Sequence, residues 1–94
     1  MVTYSKTNIY IKDKSEVNLD NLKTELEIKG DPYYQNCFNP ERKEFHYFME
    51  NSVIYLIEKE KEVDINIISK YELYVSEWRK TLEAILNEAK IKKP

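Results

Sequence analysis

Apolar positions recur with two different periods along this chain, and the changes of period divide it into elements. Asn8 to Lys12 (N-I-Y-I-K) alternates β-forming and polar residues, the period of a short half-buried strand. Leu19, Leu22 and Leu26 fall on one face of a helix predicted over 16–28. Ser15 is placed as its N-cap, Gly30 as its stop, and Pro32 follows. Further on, Ile68, Tyr71, Val75, Trp78, Leu82, Ile85 and Ala89 are spaced 3, 4, 3, 4, 3, 4, which predicts a helix over 66–90. Asp64 or Asn66 can cap its start, and Lys90, Lys92 and Lys93 place cations at its end, where they suit the helix dipole. At 1.5 Å per residue such a helix is about 40 Å long, more than a small domain needs, so its far end is expected to pack on a second subunit.

Residues 33–62 admit two readings. As strands, Tyr33–Phe38, Glu44–Met49 and Val53–Lys59 form a meander, with a turn at Asn39-Pro40-Glu41-Arg42 and a tight hairpin at Glu50-Asn51-Ser52. As a helix, Asn39 is the N-cap and Phe45, Phe48, Met49, Val53, Leu56 and Ile57 share a face. Phe-His-Tyr-Phe and Val-Ile-Tyr-Leu-Ile are aromatic and β-branched, and Asn51-Ser52 would sit in mid-helix, so strands are favoured. The expected fold is α+β in the order β-α-β-β-β-α, a small antiparallel meander with one short and one long helix. The alternative is a mostly α chain built on a helical hairpin of 40–62 and 66–90. The α-β-β-β-α part of that order is similar in topology to double-stranded-RNA-binding domains. Those domains carry a basic cluster at the start of the last helix, where Asp64 to Lys70 holds one Lys, so no family is assigned.

Length and composition narrow the function. Ninety-four residues with 41% apolar and 34% charged side chains fit one domain spanning 1–94, with a small core and no room for a large cofactor cavity. The net charge of -2 argues against a dedicated duplex binder. The longest apolar run, Val53 to Ile57, is far short of a membrane span, and Met1 to Lys12 has no signal-peptide core, so a cytoplasmic protein without membrane contact is expected. A single cysteine makes neither an internal disulfide nor a cysteine-based metal site. A single glycine, Gly30, excludes a phosphate-cradling loop. Many Lys, Ile, Asn and Tyr beside few Gly, Ala and Arg reflect AT-rich coding, as in a phage or another mobile element.

Each chemical candidate has a structural explanation that outweighs it. His46, the only histidine, has no second His with which to hold a metal and reads as a residue at the edge of the core. Cys37 and His46 can pair as nucleophile and base, but no glycine turn or orienting residue attends them. Asp20 with Glu27-Ile28-Lys29 has the D…E-x-K spacing of a magnesium-dependent nuclease, yet falls on a predicted helix and recurs by chance in a chain this rich in Glu and Lys. Glu58-Lys59-Glu60-Lys61-Glu62 reads as a solvated strand end, and Lys90-Ile91-Lys92-Lys93 as a helix terminus. No catalytic residue, cofactor or metal is expected.

Eight Tyr, three Phe and one Trp exceed what so small a core can bury, and rings of this kind anchor protein interfaces. The expected partner-binding residues are Tyr33, Tyr34, Tyr47, Tyr55 and Tyr74, rimmed by Glu58 and Glu60. Tyr71, Val75, Trp78, Leu82 and Ile85 are expected to form a homodimer seam. The leading expectation is a non-enzymatic protein of the inhibitor or immunity type that masks a partner protein. The alternative is a nucleic-acid-associated regulator binding through aromatic and Lys side chains.

Overall fold

A computed structural model describes residues 3–30, 37–39 and 43–88. The elements are β1 (Ser5–Ile11), a 3-10 turn (Lys14–Glu16), α1 (Leu19–Lys29), β2 (Cys37–Asn39), β3 (Glu44–Met49), β4 (Ser52–Glu58), β5 (Val63–Ser69) and α2 (Glu72–Glu88). The strands form one antiparallel sheet in the order β1-β5-β4-β3-β2. The fold is therefore α+β. The mostly α alternative is not supported, because most of the proposed first helix of its hairpin is β3 and β4.

The largest departure from the sequence reading lies at residues 63–69. Val63-Asp-Ile-Asn-Ile-Ile-Ser alternates strictly between buried and half-buried positions and forms β5, so Asp64, Asn66 and Ile68 belong to a strand and not to the start of a helix. Three isoleucines within four residues favour the pleated chain, where β-branched side chains pack without rotamer loss. The helical spacing from Ile68 to Tyr71 is a coincidence at the junction of two elements. Helix α2 starts at Glu72, just after Tyr71 N–H donates to Ser69 Oγ at 3.2 Å. Helix α1 likewise starts later than expected. Asn18, not Ser15, caps it, its Oδ1 accepting from Asn21 N–H at 3.1 Å, while Ser15 closes the 3-10 turn onto Asp13. Gly30 is the C-cap of α1, as expected from the sequence.

The β3–β4 hairpin turns at Glu50-Asn51, between the paired residues Met49 and Ser52. Asn51 takes the left-handed conformation (φ 59°), which asparagine tolerates better than most residues. The expected turn at Pro40-Glu41-Arg42 lies outside the described residues.

The register sorts the strand residues onto two faces. Ile9, Ile65, Leu56 and Phe45 make one cross-strand row, and Ile67, Ile54 and Tyr47 the next. Both helices lie on this face. They bury Leu22, Leu26, Val75, Leu82, Ile85 and Leu86 against the strands, and Leu22, Leu26, Leu82, Ile54, Leu56, Ile65 and Ile67 are fully inaccessible. Burying a side chain of this size stabilises the fold by about 1.5–3 kcal/mol. Glu58, at the end of β4, fastens the helical layer to the sheet by accepting from Lys14 Nζ at 3.1 Å and Lys23 Nζ at 3.0 Å. Lys23 also lies 4.1 Å above the Phe45 ring.

Candidate functional site

Alternation puts every second strand residue on the opposite face, over which no described element packs. Three cross-strand rows cover it. Lys6, Ile68, Val53 and Phe48 form the first, nearest the β3–β4 hairpin. Asn8, Asn66, Tyr55 and His46 form the second, and Tyr10, Asp64, Ile57 and Glu44 the third. Ile68, Val53, Tyr55, Ile57 and His46 are half-buried among their neighbours and still reach solvent. Half of these twelve positions are apolar or aromatic, whereas antiparallel sheets commonly turn mainly polar residues to water.

Polar side chains hold the rings of this face in place. His46 Nε2 and Glu44 Oε1 are 2.7 Å apart, and the His46 ring meets Tyr55 edge-on with centroids 4.6 Å apart and planes at 86°. Lys59 Nζ is paired with Asp64 Oδ2 at 2.9 Å, which holds the ammonium pKa above its ordinary value. The Tyr10 hydroxyl donates to Glu62, and this hydrogen bond raises its pKa. Asn8 Nδ2 donates to Asn66 Oδ1 at 3.1 Å. Holding long side chains in one geometry lowers the entropy lost on binding.

At the hairpin end the face sinks into a hollow of about 510 Å³, lined among others by Tyr4, Phe48, Val53, Ile68 and Lys70. Beyond Lys70 the chain leads into Tyr71, Leu73 and Tyr74, which are 55%, 68% and 38% exposed. Tyr71 and Tyr74 pack edge to face with centroids 5.8 Å apart.

The expected site residues scatter across this architecture. Tyr55 is on the open face, and Tyr74 is exposed on α2 in a shallow depression with Lys29 and Trp78. Tyr47 is not a surface anchor. It is 2% exposed beneath the helices, and burial with the Glu27 charge pushes its hydroxyl up to about 12. Glu58 is not a rim acid, since it turns inward onto two lysines, whereas Glu60 is exposed. Tyr33 and Tyr34 lie outside the described residues. The expected dimer seam is mostly the inner face of α2. Val75, Leu82 and Ile85 are in the core of their own chain and Trp78 packs against it, which leaves only Tyr71 exposed. Phe48, Val53, Ile68, Tyr4 and Tyr10, which the sequence reading did not single out as site residues, also lie on the open face or line its hollow. Tyr4 and Tyr10 alternate with Ile9 and Ile11 at period two, a signal that placed them outside the core.

The register sets Cys37 opposite His46 across β2 and β3. Asp20, Glu27 and Lys29 are exposed on α1, where the carboxylates do not converge. Among the described residues no group of three or more His, Cys, Asp or Glu is placed to hold a metal ion, and no helix is long and apolar enough to cross a membrane. Comparison with protein-family models, with curated proteins and with solved structures finds no match.

Proposed function

We propose that this protein is a small non-enzymatic binding module of the inhibitor or immunity type, carried by a phage or other mobile element, that masks a partner protein's surface. The observation that carries the reading is the uncovered sheet face, where Tyr55, Ile57 and His46 sit in preset positions within a border of Glu44 and Asp64. Removing such rings from water supplies affinity, and the surrounding charges select the partner. The same border weakens the nucleic-acid alternative. Glu44 and Asp64 stand on either side of Ile57 next to Tyr55, where a phosphate backbone would meet two carboxylates, and Asp64 is already paired with Lys59.

The test is affinity capture from the native host with wild type and Tyr55→Ala, with and without nuclease, at low and moderate salt. The reading expects one protein retained by wild type in every condition and lost at least about tenfold by Tyr55→Ala. Capture that disappears with nuclease, or falls steeply between the two salt concentrations, would assign the face to nucleic acid instead.

A further inference from the structure

We draw no further inference here: the strongest candidate, the apolar hollow at the β3–β4 hairpin end lined by Tyr4, Phe48, Val53 and Ile68, carries both Glu50 and Lys70 at its walls, so its charge favours no one partner chemistry and nothing in the structure shows what covers it.

Discussion

Glu58 shows what a single residue does when the fold gives it neighbours its sequence does not. In the alternating run from 58 to 62 it reads as a solvated acid, but β4 ends with this side chain under Lys14 and Lys23. Burial pushes its carboxyl pKa up, and the hydrogen bonds and charges of Lys23 and Lys14 outweigh that, leaving it below the ordinary value of 4.5. A depressed folded-state value means that the contribution to stability is complete above the unfolded value and is lost as pH falls through the folded one. Stability should therefore drop below about pH 4.5. Glu58→Gln should cost roughly 1–2 kcal/mol at neutral pH and flatten the acid limb of the urea midpoint plotted against pH. An acid limb parallel to that of wild type would show that other carboxylates cause the drop.

At the scale of the element, α2 divides its apolar residues between two jobs. Val75, Leu82, Ile85 and Leu86 face the sheet, while Leu73 and Tyr74 face water. Leu82→Ala opens a cavity under a fully buried position and should lower stability by about 3 kcal/mol. Tyr74→Ala removes a ring that is 38% exposed and packs on Tyr71 and the rim of the helix layer, and should cost about 1 kcal/mol. Urea unfolding followed by Trp78 fluorescence separates the two, because that indole packs against the same core. Equal losses would mean that Tyr74 supports the helix layer. The 3-4 spacing from Val75 to Ile85 marks one apolar side of the helix, expected as a dimer seam, which packs instead on the sheet of its own chain. It failed at Ile68 and Tyr71, because a strand ends there and a helix begins, and two periods meeting end to end can imitate one.

At the scale of the whole molecule the sheet has two edges. On one edge lies β2, described over Cys37–Asn39. On the other, β1 is seven residues long and is guarded by Arg79. Arg79 Nη1 donates to Thr7 Oγ1 at 2.5 Å and to Asn8 O at 3.4 Å, and its Nε donates to Glu83 at 2.9 Å. A charge held across an edge strand opposes strand-to-strand association. Arg79→Ala should leave the urea midpoint nearly unchanged and raise light scattering in mild denaturant, where the β1 edge is exposed. Unchanged scattering would show that the edge is protected by other means.

Local pattern alone determined the existence of the two helices (though not where they start), the strands β1, β3 and β4, and the hairpin at Asn51. These depend on period, capping and turn chemistry within a few residues. The surplus of aromatic rings was also legible, but not which of them face outward. Tyr47 and Tyr55 have similar local surroundings, and one is in the core while the other lies on the open face. Alternation says that a strand has two sides without saying which side a helix will cover. Ile57, Val53 and Ile68 are as apolar as the residues beneath the helices. Only the docking of α1 and α2 on the same face decided which rows became core and which were left as a surface.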